Sequence, residues 1–234
     1  MKYVALGTVA LAATTAFSLD QLGLLRPNFP AASEFPVWGI DVSHHQGPIA
    51  WDEVAHSGAK FAYIKATEGG DFVDPRFQEN WVHAKDAGIP RGAYHFFTLC
   101  RTGDAQAENF MSVVPSDPEA LRPVVDLEFG GNCSKRPPRD RLLSELSEFL
   151  RRVSDFSGKR PILYVTYEFY EAYGVPPEYD HALWVRDVFG RPRIERDRWL
   201  IWQYHCRGRV SGIRGPVDLN AASSLKNVVS EWNR

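Results

Sequence analysis

The chain has 234 residues, of which 44% are hydrophobic and 13% aromatic, with a formal net charge of -2 at pH 7. This composition allows one substantial buried core, so we expect a single folded domain of roughly 190–200 residues. The near-balanced charge argues against nucleic acid as the main partner. The Arg-rich run at 191–198, RPRIERDR, is interpreted as a solvated surface loop, with contact to a polyanionic polymer as the alternative.

The N-terminal segment resembles an export signal. Lys2 precedes an apolar run that ends at Phe17, which has the length of a signal-peptide core and is short for a membrane span. Because the small-residue cleavage motif is poor, residues 1–18 are either a cleaved signal peptide or an uncleaved membrane anchor. Residues 19–36 are proline-containing without clear periodicity and predict a linker. We therefore expect an exported protein that is periplasmic, extracellular or membrane-anchored and faces the cell wall.

From Trp38 onward, short apolar runs alternate with amphipathic runs. Eight apolar runs are typical of strands, at 38–43, 61–69, 91–97, 122–128, 161–166, 182–187, 199–204 and 216–220. Helices are predicted at 51–59, 74–88, 104–114 and 139–158. This alternation predicts an α/β fold with a parallel sheet, closed into a TIM-like barrel whose last three strands are connected by loops. The barrel domain is placed at 37–222, followed by a C-terminal tail at 223–234.

The stretch PVVDLEFGGNC at 123–133 sets two carboxylates, Asp126 and Glu128, in an apolar run. Alternation in a strand directs residues i and i+2 to one face, so the two acids repel each other, which raises the pKa of one of them. A protonated carboxyl beside an ionised one is what acid-catalysed hydrolysis requires. The alternative is an edge strand on which the pair faces solvent and has no chemical role.

Polar residues occupy the predicted carboxyl ends of the strands, where the active sites of such barrels lie. Acids on the first, fourth and last strands converge only when the barrel closes, which favours a shared site. The candidate catalytic carboxylates are Asp41, Asp126, Glu128 and Asp218. The candidate substrate contacts are Tyr63, Lys65, Glu68, Tyr94, His95, Trp184 and Gln203. Three of these, Tyr63, Tyr94 and Trp184, are expected to stack on sugar faces, although most strand aromatics fill barrel cores.

The three cysteines are too few for a disulfide scaffold and lack the CxxC spacing of a zinc site. We expect one bridge, Cys100 to Cys133, because the loops that carry them leave strands that lie side by side in the predicted sheet. A metal site at His44 and His45 is disfavoured, since adjacent residues of an extended segment point to opposite sides. No nucleophile elbow or phosphate-loop spacing occurs. We therefore predict neither a metal nor another cofactor.

Seven motifs resemble glycoside hydrolase family 25, the Chalaropsis-type lysozymes or N-acetylmuramidases. They are GIDVSHHQG (39–47), FAYIKATEG (61–69), RGAYHFF (91–97), PVVDLE (123–128), LWV (183–185), IWQY (201–204) and GPVDLN (215–220). Their order and spacing follow the family from about Trp38 to Ala222. Any one motif is weak evidence, but seven in order are specific.

The resemblance implies an irregular (β/α)5(β)3 barrel, in which β/α units are closed by further strands. It implies hydrolysis of the β-1,4 bond between N-acetylmuramic acid and N-acetylglucosamine in peptidoglycan, with retention. By position in the motifs, Glu128 is similar to the general acid and Asp126 to its partner. Asp41 and Asp218 match two further groove carboxylates, and Tyr63 resembles a groove tyrosine. The expected partner is the glycan strand of peptidoglycan, and the chain is expected to act as a monomer.

The chain departs from the family pattern after LWV. Arg186, Asp187 and Val188 stand where the family has a small residue and then an aromatic, so one wall of the groove is expected to bind differently. Two alternatives stay open. One is a non-catalytic peptidoglycan-binding module of the same fold, and the other is a barrel hydrolase that acts on chitin or another glycan.

Overall fold

The computed structural model describes residues 28–175, 179, 181–194 and 198–229. The strands of this part are β1 Val37–Val42, β2 Ala62–Glu68, β3 Phe72–Val73, β4 Arg91–Phe96, β5 Val124–Leu127, β6 Ile162–Val165, β7 Leu183–Arg186, β8 Trp199–Gly208 and β9 Val217–Ala222. The α-helices are α1 Trp51–His56, α2 Phe77–Asp86, α3 Gly103–Val113, α4 Arg139–Ser157, α5 Tyr167–Tyr173 and α6 Leu225–Val229, and a 3-10 turn covers His44–Gln46.

Eight strands close a barrel in the order β1-β9-β8-β7-β6-β5-β4-β2, with β2 paired back to β1. The short strand β3 pairs with β2 outside this ring. Strands β1, β2, β4, β5, β6, β7 and β8 run parallel to their neighbours in that set. The predicted α/β barrel is therefore confirmed.

Strand β9 runs antiparallel to both of its neighbours, β1 and β8. Its first residues, not its last, consequently lie at the carboxyl end of the parallel strands. The prediction that Asp218 ends a parallel strand was wrong, because Asp218 is the second residue of β9. The reversed direction nevertheless brings Asp218 to the end of the barrel at which the other candidate carboxylates lie.

Apolar side chains form one layer inside the barrel and another between the strands and the helices. The inner layer includes Phe61, Tyr63, Ile162, Trp184 and Ile201. The outer layer includes Val125 and Leu127 of β5 together with Leu142, Leu146, Phe149, Leu150 and Val153 of α4. This spacing in α4 is that of one helix face, and each buried Leu or Phe contributes about 1.5–3 kcal/mol. The alternation along β5 thus sends Val125 and Leu127 outward and Val124 and Asp126 inward.

A disulfide joins Cys100 to Cys133, with 6.3 Å between their Cα atoms, as expected from the sequence. It links the loop after β4 to the loop after β5, at the carboxyl end of the barrel. Replacing both cysteines with serine is expected to lower the free energy of unfolding by about 2–4 kcal/mol, because a cross-link over this separation restricts the unfolded chain. Urea unfolding at equilibrium measures the change.

The matched control is Cys206→Ser, because Cys206 is free in the structure and half-buried. This variant is expected to stay close to the wild type in its denaturation midpoint. An unchanged midpoint in the double serine variant would show that the bridge contributes nothing to stability.

The described part of the predicted linker packs against the barrel. The Asn28 side chain donates hydrogen bonds to the carbonyl oxygens of Asp187 and Gly190, at 3.3 and 3.2 Å. The Phe35 ring stacks on Trp199 with 5.8 Å between centroids. Residues 1–18, predicted as a signal or anchor, lie outside the described residues. Among the residues that are described, no helix combines the length and apolar character that a membrane crossing needs.

Candidate active site

A cavity of about 100 Å³ opens at the carboxyl end of the parallel strands. Its lining combines carboxylates, aromatic rings and one amide. The lining residues are Asp41, Tyr94, Val124, Asp126, Glu128, Tyr164, Trp184, Gln203 and Asp218. All four candidate catalytic carboxylates therefore surround one space, together with three of the candidate substrate contacts.

Strand register explains why these carboxylates converge. Asp41 of β1 is directly opposite Asp218 of the antiparallel β9. Asp126 of β5 is level with Tyr164 of β6, and Glu128 follows the last residue of β5 on the same face. Because the barrel closes through β9 and β1, Asp41 and Asp218 lie across the cavity from Asp126 and Glu128.

Asp41 is held by the side-chain amides of Asn220 and Gln203. Its Oδ2 accepts hydrogen bonds from Nδ2 of Asn220 at 2.8 Å and from Nε2 of Gln203 at 3.2 Å. Oδ1 of Asn220 accepts from the indole N–H of Trp184 at 3.0 Å, and Tyr164 donates its hydroxyl to Oε1 of Gln203 at 2.9 Å. This network fixes the orientation of the Asp41 carboxylate and of two rings in the lining.

All four carboxyl groups bind protons more tightly than exposed acids do. Burial raises the pKa of Asp41 to about 6, against the lowering effect of its hydrogen bonds with Asn220, Gln203 and Asp218. Burial, followed by repulsion from Glu128, raises the pKa of Asp126 well above its usual range, and burial with repulsion from Asp41 does the same for Asp218. Burial also raises the pKa of Glu128. The cluster thus retains protons at a pH where surface carboxyls have lost them.

Asp126 has one oxygen without a protein partner. Its Oδ1 is buried and accepts no hydrogen bond within the described structure. A buried polar oxygen without a partner is costly and is uncommon in folded proteins outside functional sites. Asp126 lines the cavity, so its carboxyl group keeps hydrogen-bonding capacity that the described protein does not use.

Two cations lie beside the carboxylates. Nη1 of Arg186 is 3.8 Å from Oε2 of Glu128, and Nζ of Lys65 is 2.7 Å from Oε2 of Glu68. Lys65 also lies over the rings of Phe72 and Phe96. Arg186 and Lys65 both lower the pKa of Glu128 against the effect of its burial. Lys65 and Glu68 flank the cavity and are not part of its lining.

Two predicted substrate contacts are buried outside the lining of the cavity. Tyr63 is fully buried in the inner layer, with its hydroxyl donated to the carbonyl of Arg122 at 3.2 Å and its ring against Trp184. His95 points outward to the helices, where its ring nitrogens bond Thr67 and Gln106. Burial lowers the pKa of His95 to about 3, so this ring is neutral. Both side chains are structural.

The raised pKa of Asp41 makes stability depend on pH. The folded state binds this proton more tightly than the unfolded chain, whose pKa is 3.8, so the free energy of unfolding falls as pH rises from about 4 through about 6. Asp41→Asn keeps an acceptor for Asn220 and Gln203 without the buried charge. We expect this variant to be more stable than the wild type at pH 7, by on the order of 1–3 kcal/mol, and equally stable near pH 4.

Urea unfolding across this pH range tests the expectation, with Asp52→Asn on the exposed side of α1 as the matched control. The control is expected to leave the pH dependence unchanged. If Asp41→Asn destabilised the protein equally at pH 4 and pH 7, the carboxylate would be a net source of stability and the assigned proton would be absent.

Residues 40–213 match the model of a family described as glycosyl hydrolases family 25. The chain belongs to this family. It is therefore a glycoside hydrolase, which confirms the resemblance seen in the seven motifs. Within the enzyme, the match runs from β1 to the loop before β9 and includes three of the four carboxylates of the cavity.

Similar proteins agree with this placement. The enzyme is 36% identical over 194 residues to the uncharacterized protein YegX of Escherichia coli K12, covering 80% of this chain and 70% of the relative. It is 34% identical to Lysozyme M1 of Streptomyces globisporus, covering 79% and 67% of the two chains. The structure of a family 25 glycosyl hydrolase from Bacillus anthracis superposes with a TM-score of 0.75 at 37% identity, covering 83% of this chain and 92% of that one.

The structure also places three residues at the site that were not among the candidate catalytic residues and substrate contacts. Asn220 orients Asp41 and Trp184, Tyr164 lines the cavity, and Arg186 approaches Glu128. Asn220 and Arg186 each follow a candidate site residue, Asp218 or Trp184, by two positions on a strand. The same alternation that joined Asp126 to Glu128 was therefore the available signal.

Proposed function

We propose that this glycoside hydrolase is a lysozyme that cleaves the β-1,4 bond between N-acetylmuramic acid and N-acetylglucosamine in peptidoglycan, with net retention at the anomeric carbon. The observation that carries the proposal is the set of four carboxyl groups with raised pKa values around one cavity at the carboxyl end of the barrel. The similarity to Lysozyme M1 supports the choice of peptidoglycan as substrate.

Glu128 is the general acid of the proposed reaction. It protonates the glycosidic oxygen while positive charge develops on the sugar ring, as in an oxocarbenium-like transition state. Its burial supports this role, because it favours the protonated form. Its side chain is 21% exposed, which leaves the carboxyl accessible to a substrate.

Asp126 assists at the anomeric carbon. Its carboxyl group lines the cavity and can accept a hydrogen bond from the N–H of the 2-acetamido group, which directs the acetamido oxygen toward the anomeric carbon. Attack by that oxygen, followed by water, gives retention. The second route to retention is direct attack by a carboxylate, as in other retaining glycosidases.

The remaining lining residues position the sugar and stabilise its charge. Asp41 and Asp218 share a hydrogen bond across β1 and β9, which supplies negative charge near the reacting ring. Tyr94, Trp184 and Gln203 line the same cavity and supply apolar and amide surface for sugar faces and hydroxyls. Lys65 and Glu68 contact the substrate from the rim.

The proposed enzyme is exported and acts in the cell wall. The apolar segment at 1–18 supports a signal peptide or membrane tether, followed by the linker at 19–36 and the catalytic barrel at 37–222. The Cys100–Cys133 disulfide adds support, because such bonds persist in oxidising compartments outside the cytoplasm. We propose that the protein acts there as a monomer on glycan strands.

Release of reducing ends from purified peptidoglycan, with the products identified by mass, tests the proposal. New reducing N-acetylmuramic acid ends are expected, and the anomer formed first, followed by NMR, reports retention. Binding to cell-wall sacculi without any released ends would indicate a binding module. Faster cleavage of chitin oligomers than of peptidoglycan would indicate that the preferred substrate is a neutral glycan.

A further inference from the structure

Arg186 is a cation beside the cavity, next to Glu128 of its lining, and the proposed mechanism does not use it. It ends β7 and shares its face with Trp184, two positions earlier. Its side chain is 41% exposed, and its nearest acidic partner, Oε2 of Glu128, is 3.8 Å away, which is beyond hydrogen-bond distance. The guanidinium is therefore accessible to a ligand that extends past Glu128.

The neighbouring carboxylates leave this cation available for a ligand. Asp41 is held by Asn220 and Gln203, while Glu68 is paired with the other cation, Lys65. Among the described residues, Arg186 donates no hydrogen bond to the protein, since its one ion pair is the long contact with Glu128. A planar guanidinium with free donors binds a carboxylate through two parallel hydrogen bonds.

We infer that Arg186 recognises a carboxylate of the substrate next to the scissile bond and makes the enzyme selective for acidic over neutral glycans. The inference rests on the proposed function and identifies a carboxylate as the substrate group that the site binds. Two sources supply such a carboxylate in peptidoglycan. One is the lactyl group of a peptide-free muramic acid, and the other is a carboxylate of the attached stem peptide.

Binding of that carboxylate also affects the acid catalyst. Several charged groups act on Glu128: Asp41 of β1, Lys65 of β2, Asp126 of β5, Glu168 of α5, Arg186 of β7 and Asp218 of β9. Of these, Arg186 is the cation with the largest lowering effect on the pKa of Glu128. A substrate carboxylate on Arg186 cancels this charge, so Glu128 keeps its proton when an acidic glycan is bound.

The test compares kcat/KM on matched soluble glycans. The first substrate is a peptide-free oligosaccharide of alternating N-acetylglucosamine and N-acetylmuramic acid. The second is its lactyl methyl ester, and the third is the same oligosaccharide with stem peptides attached to the lactyl groups. The wild type is expected to prefer the free lactyl carboxylate over the ester by about tenfold or more, as expected for hydrogen bonds to a charged group. Arg186→Gln is expected to reduce this ratio to about one, and Arg186→Lys to restore part of it.

The control is Arg193→Gln, on the exposed loop after β7, which is expected to keep the wild-type ratio. A preference for the peptide-bearing glycan that disappears in Arg186→Gln would assign the carboxylate to the stem peptide. Equal losses on all substrates in Arg186→Gln, or no preference in the wild type, would overturn the inference.

A binding measurement separates this inference from the proposed function. Calorimetry of the free acid and its methyl ester with Glu128→Gln, with and without Arg186→Gln, repeats the comparison without turnover. Loss of the acid preference on removal of Arg186 supports the carboxylate site even if the wild type releases no reducing ends. Cleavage by the wild type without any acid preference would uphold the lysozyme and refute the role of Arg186.

Discussion

Glu128→Gln is expected to lower kcat on peptidoglycan by about 10²- to 10⁴-fold, the range that a general acid contributes. Glutamine has nearly the same shape as glutamic acid but holds no acidic proton, so the leaving oxygen departs unprotonated. The fold should be retained, since the Glu128 side chain is partly exposed and its nearest cation, Arg186, is also reached by solvent. Reducing-end release, with far-UV circular dichroism as a check on folding, measures the effect.

The matched control is Glu119→Gln, because Glu119 lies before β5 at the opposite end of the barrel and is largely exposed. It should leave kcat unchanged. A Glu128→Gln variant within a few fold of the wild type would remove Glu128 from the mechanism.

The pH dependence of kcat tests the role of Glu128 a second time. Because burial raises the pKa of Glu128 above 4.5, kcat should stay high past the usual glutamate range and fall as pH rises through the raised value. Glu128→Gln should lose this alkaline fall in its residual activity. A fall that persisted in the variant would report a different group, such as one of the three aspartates of the cavity.

The sequence predicted the barrel well because its strands repeat one simple pattern. Each apolar run is flanked by a loop or an amphipathic helix. This alternation along the chain can be recognised without knowing how the side chains pack inside the barrel. Strand β9 was the exception in direction. The run PVDLN has the composition of any short strand, so it does not indicate whether the strand is parallel or antiparallel. The antiparallel direction of β9 follows from its pairing with both β1 and β8 where the barrel closes.

Site prediction was limited by the distinction between the two faces of a strand and by depth inside the barrel. His95 and Tyr94 are adjacent, so only one of them can face inward, and the structure turns Tyr94 to the cavity. Tyr63 does face inward, but it lies below the cavity against Arg122 and Trp184. Alternation gives the face, whereas depth depends on the stagger of the strands, which no local pattern reveals.

The causes of the raised pKa values of Asp126 and Glu128 could also not be predicted fully from the sequence. The pair of Asp126 and Glu128 suggested that mutual repulsion raises the pKa of the acid. In the structure, burial is the first cause for both groups, and Arg186 from a distant strand opposes it at Glu128. Arg186 and Glu128 are far apart along the chain, so their contact follows from the fold and from no local motif.

Asp126→Asn is expected to lower kcat by about 10²-fold or more on glycans that carry the 2-acetamido group. In the proposed mechanism, the Asp126 carboxyl group, which lines the cavity, accepts a hydrogen bond from the acetamido N–H and directs the acetamido oxygen to the anomeric carbon. Asparagine has the same size, but its amide is a weaker acceptor and cannot become a carboxylate, so the attacking group is both less nucleophilic and less well oriented. Rates on acetylated and de-N-acetylated glycans measure this dependence.

The pattern of losses distinguishes the two routes to retention. If the acetamido group attacks, the wild type is slow on de-N-acetylated glycan and Asp126→Asn adds little further loss there, because the group that it orients is already missing. If the Asp126 carboxylate itself attacks, the variant loses the same factor on both glycans. Asp117→Asn, which alters the ion pair with Arg91 at the other end of the barrel, controls for a general loss of stability. Full activity of Asp126→Asn on acetylated glycan would contradict both routes, since each needs the Asp126 carboxyl group beside the reacting sugar.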